Sequence, residues 1–236
     1  GIVKGYYVIT DMAKLGYEFY RVLLKFQNIS EEQQKKIINY AKKNISFGWV
    51  ATLEGRWNVV IIIWAKNVYE FKNIYDRFMM KFSKFIQKRV VTIATAIHHF
   101  KKNYLYGTKD YSTLIFGNYK EKCNIDVIDF KILLILSQNA RTPILTLAKK
   151  SKLTPNAINY RLKNLKKRGI ILGYRAAIDV NKLGYQHFKV FLMLQNITKE
   201  GKKRIMEYLK QEPNIVYLTE AIGKSDIEFE AEIKNS

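Results

Sequence analysis

Apolar residues recur with two different periods between residues 17 and 98, which predicts strands alternating with helices. Alternating or β-branched apolar segments predict four strands, at 17–29, 46–53, 57–65 and 88–98. Apolar residues at helical spacing predict two helices, at 31–44 and 67–84. Ser30 stands directly before the first helix and Asn67 begins the second, and both suit N-caps. The order β-α-β-β-α-β predicts a ferredoxin-like unit over residues 17–105.

A different pattern begins after residue 122, where short helical segments follow one another without strands between them. Helical spacing predicts helices at 126–139, 144–151 and 155–168. Pro155 marks the start of the third helix, because the first helical position does not need the N–H that proline lacks. A hairpin is predicted at 170–178, and residues 1–10 are predicted to form a similar two-stranded turn. Three short helices followed by a hairpin are typical of a winged helix-turn-helix.

The chain also repeats itself at an offset of 168 residues. The 30 residues from Gly1 match the 30 from Gly169 at 14 positions, and further along Gly55 falls on Gly223. A duplicated structural unit explains this similarity. Helices equivalent to 126–168 do not precede Gly1, and the second repeat stops at Ser236. We therefore expect an internal piece of a longer protein, cut inside both repeats.

Together these patterns predict an α+β protein in which a winged helix-turn-helix lies between two ferredoxin-like units. The predicted parts are a wing remnant (1–16), a first ferredoxin-like unit (17–105), a linker (106–122), a winged helix-turn-helix (123–184) and an incomplete second ferredoxin-like unit (185–236). The incomplete sheet would expose apolar residues that Val190, Leu192 and Leu194 would otherwise help to cover. We expect this surface to pair with the first unit of the same chain or of another chain.

Charge adds a partner to this picture. The 236 residues carry a net charge of +21, and residues 130–178 contain eleven Lys or Arg and no Asp or Glu. Such an excess favours a polyanion, with nucleic acid before an acidic membrane. The 48% apolar and 14% aromatic content excludes intrinsic disorder. A single cysteine, Cys123, allows neither an internal disulfide nor a cysteine-built zinc site, and it suits the cytoplasm. The longest apolar run, 59–65, is too short to span a membrane.

The segment 155–168 has the two faces that a DNA-reading helix needs. Ile158, Leu162 and Leu165 form an apolar stripe. The opposite stripe and its flanks are polar or basic, and comprise Asn156, Asn159, Tyr160, Lys163, Lys166, Lys167 and Arg168. Asparagine can pair with adenine edges and lysine can neutralise phosphates. Thr154 at the start of the helix and Arg141 in the preceding loop are further predicted phosphate contacts.

Residues 123–236 resemble the leucine-responsive/AsnC (Lrp/AsnC) family of transcription regulators. The resemblance rests on Ile125-Asp126-x-x-Asp129, Gln138-Asn139-Ala140-Arg141, Leu147-Ala148-Lys149-Lys150, Leu153-Thr154, Tyr160-Arg161-Leu162-x-x-Leu165, Gly169-Ile170-Ile171-x-Gly173-Tyr174, Asp179, Lys182-Leu183-Gly184 and Gly223-x-x-Asp226. Residues 1–105 resemble the same family from the wing onward, as in the two-copy regulators of archaea. The resemblance implies a sequence-specific regulator that binds double-stranded DNA, self-associates through its ferredoxin-like units and often senses an amino acid.

Two departures from the family pattern stand out. Lys152 occupies the helix-turn-helix turn, where Gly or Asn is usual, and a positive φ there would cost about 1 kcal/mol. The family's Gly-x-x-Asp turn is kept at 223–226, so Gly223, Ser225 and Asp226 are the candidate effector residues. In the first repeat, Asn58 replaces the aspartate and Trp57 fills the turn. The ammonium group of a bound amino acid would prefer a carboxylate. We therefore expect the second repeat, rather than the first, to hold an effector.

No pattern of catalytic or metal-binding residues stands out, so we predict no enzyme activity, metal or cofactor. His98 and His99 are adjacent and would point to opposite faces of a strand. Sirohaem decarboxylases resemble the same two-part architecture, but their His-Asn-Tyr-x-Arg stretch does not occur, and the nearest text is His98-His99-Phe100-Lys101-Lys102. That activity is one alternative, and a sensing or interaction module without DNA binding is the other.

Overall fold

The structure, a computed structural model, describes residues 1–118 and 121–234. Its strands are β1 (Val3–Thr10), β2 (Glu18–Phe26), β3 (Phe47–Thr52), β4 (Val59–Ala65), β5 (Ile86–His99), β6 (Leu114–Gly117), β7 (Ile171–Ile178), β8 (Tyr185–Leu192), β9 (Ile215–Ile222) and β10 (Ile227–Lys234). Its helices are α1 (Glu31–Lys43), α2 (Val68–Phe82), α3 (Asn103–Tyr106), α4 (Val127–Gln138), α5 (Ile144–Ser151), α6 (Pro155–Lys167) and α7 (Lys199–Gln211).

Side-chain caps fix where the long helices begin. Ser30 and Gln33 form a reciprocal capping box at the start of α1, and the Asn67 side chain accepts two backbone N–H bonds at the start of α2. Asp126 caps α4 and Thr154 caps α6 in the same way. These local signals explain why the predicted helix boundaries agree closely with the observed ones.

The first repeat forms the predicted ferredoxin-like unit. Its strands lie in the order β3-β4-β2-β5, and α1 and α2 cover one face of this sheet. The apolar core between helices and sheet includes Leu24, Ile37, Ile61 and Phe78, each at most 1% exposed. The predicted α+β class, with a winged helix-turn-helix and ferredoxin-like units, is confirmed.

The two ferredoxin-like units share one sheet. One edge of β5 pairs with β2 and then with β6, while its other edge pairs antiparallel with β9 of the second unit. The strand order along the sheet is therefore β3-β4-β2-β5-β9-β10-β8. The second unit thus pairs with the first unit of the same chain through the edge between β5 and β9.

The two wing segments differ from the prediction. Residues 1–10 and 170–178 form no hairpins of their own, because each supplies one strand and the strands pair with each other. Val3 lies opposite Ile178, and Thr10 lies opposite Ile171. Since β1 and β7 correspond at the 168-residue offset, this register is unchanged when the repeats are exchanged. The repeats therefore pair like the two halves of a symmetric dimer.

The predicted linker also contains regular structure. Within 106–122, residues Leu114–Gly117 form β6, which pairs with the end of β5. The cause is the length of β5, which runs to His99 although β2 pairs with it only as far as Ala94. The remaining backbone groups of β5 on that edge are satisfied by β6.

The winged domain packs α4, α5 and α6 around a separate apolar core. Ile132, Leu147, Ile158 and Leu165 lie in that core and are at most 1% exposed. Lys152 follows α5 with a φ of 55°, in the left-handed region, as predicted for this turn. The turn is therefore formed without glycine, at a cost of about 1 kcal/mol.

Candidate nucleic-acid interface

Helix α6 presents one apolar and one polar face. Ile158 and Leu165 are fully buried, while Leu162 is partly buried against the same core. The predicted DNA-facing stripe is exposed along the whole helix, and consists of Asn156, Tyr160, Lys163 and Lys167. Tyr160 is 73% exposed although it is aromatic. Had these side chains packed inward, they could not reach a nucleic acid.

The flanks of this stripe extend the exposed surface. Asn159 and Lys166 are both exposed. The Lys166 Nζ lies 5.0 Å from the ring centroid of Tyr174 on β7, within the range of a cation–π contact. Lys166 therefore links the exposed surface of α6 to the wing strand β7.

Arg168, another predicted DNA contact, makes hydrogen bonds to other parts of the protein. Its guanidinium donates a hydrogen bond to the carbonyl of Asn124, and its own carbonyl accepts one from Lys14 Nζ at 2.7 Å. These bonds tie the end of α6 to the segment before α4 and to the first repeat. A DNA contact by Arg168 remains a prediction.

The two predicted phosphate contacts outside the stripe, Thr154 and Arg141, lie at the start of α6 and in the loop after α4. Thr154 Oγ1 accepts the N–H of Ala157 at 3.2 Å and so caps α6, whose first turn is open to an anion. Arg141 is exposed in the loop after α4, and its guanidinium carbon lies 3.7 Å from the ring centroid of Tyr6 on β1. The wing strand of the first repeat thus supports a basic side chain of the second.

The residue that orients α6 is Arg161, to which the sequence analysis assigned no role. Its Nη1 donates to Asp126 at 2.7 Å and to Asp129 at 2.8 Å, so it joins α6 to the first turn of α4. The N–H of Asp129 and then Arg161 lower the pKa of Asp126, and the two carboxylates raise the pKa of Arg161. Only the packing of α6 on α4 brings these charges together, so sequence spacing could not reveal them.

The candidate effector residues lie in the tight turn between β9 and β10. Ser225 is buried, and its hydroxyl donates to Glu228 at 2.8 Å. The Asp226 carboxylate accepts the N–H of Leu194 at 2.8 Å. Gly223 has a φ of 120°, which explains the glycine. Both polar side chains therefore already hold the turn.

The equivalent turn of the first repeat explains why asparagine replaces aspartate there. Asn58 Oδ1 accepts the N–H of Phe26 at 2.8 Å, and Phe26 is equivalent to Leu194 at the 168-residue offset. Because an amide oxygen and a carboxylate oxygen both accept this bond, Asn58 and Asp226 do the same structural work. Trp57 is 6% exposed and packs against Leu23 and Val60, so it belongs to the core.

A buried group of charges, which the sequence analysis did not single out, lies on the inner face of the second unit, opposite α7. Glu228, 0% exposed, pairs with Arg21 of β2 and, at 3.2 Å, with Lys189 of β8. The alternation of glutamate and apolar residues in β10 can be seen in the sequence. However, such a pattern usually indicates a strand whose polar face contacts solvent, so it does not predict buried charges.

The same row of glutamates continues to His187. Its ring nitrogens lie 3.2 Å from Glu232 and 3.1 Å from Glu230. Burial opposes a charge on His187, but the two carboxylates prevail and raise its pKa to about 9. Burial likewise opposes a charge on Glu232, yet hydrogen bonds from His187, Lys102 and Tyr104 lower its pKa to about 2.

No helix among the described residues combines the length and apolar character needed to cross a lipid bilayer. Over the same residues, no three His, Cys, Asp or Glu side chains cluster in a way that could hold a metal ion.

Comparison with known proteins points to one group of relatives. A family model described as winged helix-turn-helix DNA-binding matches residues 125–171, which span α4, α5 and α6. The regulatory protein AsnC of Haemophilus influenzae is 44% identical over 62 residues, covering 26% of this chain and 41% of AsnC. The transcriptional regulator FL11 of Pyrococcus horikoshii is 31% identical over 113 residues, covering 48% of this chain and 73% of FL11.

The whole chain is also similar in fold to a solved structure. This is the siroheme decarboxylase NirDL in complex with an iron-uroporphyrin III analogue, with a TM-score of 0.59 and 12% identity, covering 100% of this chain and 68% of that one. At this identity the likeness is one of fold alone. Since FL11 is 31% identical and is covered to 73% of its length, and the winged-helix model matches the segment that carries α6, the chain belongs to the Lrp/AsnC family of helix-turn-helix transcriptional regulators.

Proposed function

We propose that this chain binds double-stranded DNA as a transcription regulator, with α6 in the major groove. The observation that carries this proposal is the exposed face of α6, on which Asn156, Tyr160, Lys163 and Lys167 point outward. Residues 130–178 contain no acidic side chain that would repel a phosphate backbone. The named regulators among its relatives support the same function.

Each part of the proposed surface has a distinct task. Lys163 and Lys167, one helical turn apart, would neutralise backbone phosphates. Asn156 and Asn159 would reach base edges, where an amide can bond adenine in both directions. Thr154, Arg141, Lys166 and Arg168 complete the proposed surface at its margins. The asparagine amides would therefore give DNA binding its sequence specificity, and the lysines would give it electrostatic affinity.

The test is a duplex DNA mobility shift over a series of salt concentrations. Lys163→Glu with Lys167→Glu should weaken binding at least about tenfold and flatten the dependence on salt, because fewer counterions are released. The matched control is Lys199→Glu with Lys203→Glu, an equally spaced pair of exposed lysines on α7. Equal losses in both double variants would show that only net charge matters and would remove α6 from the interface.

Four further features of the family are proposed for this chain. They are the two-copy organisation suggested by the internal repeat, self-association through the ferredoxin-like units, an amino-acid effector at Gly223, Ser225 and Asp226, and a cytoplasmic location. Because Ser225 and Asp226 already hold the turn, an effector would have to compete with these bonds. Under the alternative of sirohaem decarboxylation, incubation with sirohaem would release carbon dioxide, and we expect none.

A further inference from the structure

The sheet shared by the two units has two open ends. β3 lies at one end and β8 at the other, and among the described residues each has a partner strand on only one edge. The strand equivalent to β8 in the first unit is β2, which pairs with β4 on one edge and β5 on the other. The strand equivalent to β3 in the second unit is β9, which pairs with β10 and with β5. β5 therefore joins the two strands whose counterparts have an open edge.

The symmetric pairing of the repeats predicts where a second strand of this kind would lie. Exchange of the repeats leaves the β1–β7 register unchanged and moves β5 from its place between β2 and β9 to a place between β8 and β3. The two open strands border one cavity, since Trp49 of β3 and Lys189 of β8 both lie in its wall. A single added strand would thus pair with both open edges.

The face of the second unit next to β8 is also less covered than that of the first unit. Tyr20 on β2 is 2% exposed and stacks on Phe71 of α2, with ring centroids 4.2 Å apart. Its counterpart at the 168-residue offset, Phe188 on β8, is 44% exposed. Ala65 at the end of β4 is fully buried, whereas its counterpart Ile233 on β10 is 50% exposed. Two apolar positions that the first unit buries are therefore open in the second.

The helices α1 and α7 show the same contrast. Tyr40 on α1 packs edge to face on Phe82 of α2, with ring centroids 5.3 Å apart. Its counterpart Tyr208 on α7 is 65% exposed. Among the described residues, no helix of the second unit is equivalent to α2. Phe188 and Tyr208 are thus exposed where α2 would cover them in the first unit.

The open edge of β3 lacks the neighbour that β5 gives to β9. Tyr217 on β9 lies opposite His99 of β5 and stacks on it, with ring centroids 4.3 Å apart. Its counterpart on β3 is Trp49, which is 46% exposed. A strand beside β3 would cover Trp49 as β5 covers Tyr217. The open edges and the exposed side chains therefore indicate one occupant, a helix followed by a strand.

We propose that this open surface binds a helix–strand segment of the α2–β5 type from outside residues 1–236. The open surface consists of the free edges of β8 and β3 with Phe188, Tyr208 and Ile233. The helix of the segment packs an apolar stripe on these side chains, and its strand pairs with β8 and β3. The occupant is a polypeptide, because the free edges need N–H and C=O partners that an apolar small molecule or a lipid lacks. The open surface includes no residue of α6, so the proposal does not depend on DNA binding.

The probe is a synthetic peptide with the sequence of residues 67–99, which contains α2 and β5. Labelled with fluorescein and extended by solubilising lysines, it should bind the full chain saturably, one peptide per chain, in fluorescence anisotropy. The chain's own α2 and β5 stay in place because covalent linkage gives them a higher effective concentration. The control peptide has Asp in place of Phe71, Phe78 and Phe82, and should bind at least about tenfold more weakly. Equal affinity of the two peptides, or no saturable binding, would refute the proposal.

Paired variants of the chain locate the bound peptide. Phe188→Glu places a charge in the open surface and should weaken peptide binding at least about tenfold. Tyr69→Glu is the control, since Tyr69 is 77% exposed on α2 and lies outside the open surface. Both aromatic side chains are exposed, so both positions should tolerate the charge, and thermal unfolding checks this. Equal losses of affinity in the two variants would contradict the assignment.

Amide hydrogen exchange separates strand pairing from docking of the helix alone. The bound peptide should slow exchange at least about tenfold in β8 and β3, while β2, already paired on both edges, should not change. Unchanged exchange in β8 and β3 would refute the strand pairing. Light scattering of the chain alone tests a second copy as the occupant. A dimer that Phe188→Glu dissociates would assign the open surface to that copy and overturn the proposal.

Discussion

The inner faces of β4 and β10 occupy equivalent positions in the two repeats, yet their chemistry is opposite. On β4 this face carries Val60, Ile62 and Trp64. At the 168-residue offset, β10 carries Glu228, Glu230 and Glu232. On the neighbouring strands, Phe19 corresponds to His187 and Arg21 to Lys189. The same backbone arrangement therefore carries an apolar inner face in the first unit and a charged inner face in the second.

The difference shows which part of a repeat is constrained by its fold. The turn acceptors Asn58 and Asp226 and the caps Ser30 and Thr198 are chemically alike, because each satisfies a fixed backbone N–H. The inner sheet faces have no such fixed backbone partner, and their chemistry differs: Glu228 pairs with Arg21 of the other unit and Lys189 of its own, whereas Val60 packs in an apolar cluster. Three predictions test this division.

The largest effect is expected at the buried ion pair that crosses between the units. Glu228→Ala leaves Arg21 and Lys189 without this carboxylate, and should lower the free energy of unfolding by about 3–5 kcal/mol. Val60→Ala, at the equivalent position of β4, removes only apolar atoms and should cost roughly 2 kcal/mol. Urea denaturation followed by circular dichroism measures both. A smaller loss in Glu228→Ala than in Val60→Ala would refute the contrast.

A medium effect is expected at the two turns. Asp226→Ala and Asn58→Ala each remove the acceptor of a backbone N–H, and each should cost about 1–3 kcal/mol. Asp226→Asn and Asn58→Asp keep an acceptor oxygen and should each stay within about 0.5 kcal/mol of the original chain in urea denaturation. If Asp226→Asn were as damaging as Asp226→Ala, the two turns would not be equivalent.

The smallest effect is a dependence on pH that only the second unit should show. The pKa of His187 is raised from 6.5 to about 9 by Glu230 and Glu232, so its stabilising charge is fully present below about pH 6.5. This contribution is lost as the pH rises through about 9. His187→Gln should therefore remove part of the fall in melting temperature over this range. Phe19→Leu, at the equivalent position of the first unit, should leave the pH dependence unchanged, and identical profiles for His187→Gln and the original chain would contradict the assignment.

Local signals in the sequence predicted most of the elements and the face of α6. Caps such as Ser30 and Thr154 act within three residues, so their effect can be read directly from the sequence. The pairing of β1 with β7, and of Arg21 with Glu228 across 207 positions, depends on tertiary contacts. The strand at 114–117 could not be predicted either, because it pairs with the part of β5 that extends beyond the end of β2.

The pairing of the two repeats within one polypeptide has an evolutionary consequence. In a homodimer, every substitution is made on both sides of the axis, so the two inner sheet faces would carry the same residues. Here a substitution changes one side alone, which is how glutamates can occupy β10 while the equivalent positions of β4 hold Val60, Ile62 and Trp64. Covalent linkage also makes the partner's local concentration independent of how dilute the protein is. Linkage in one chain therefore allows the residues of each unit to change independently, while the two units remain paired.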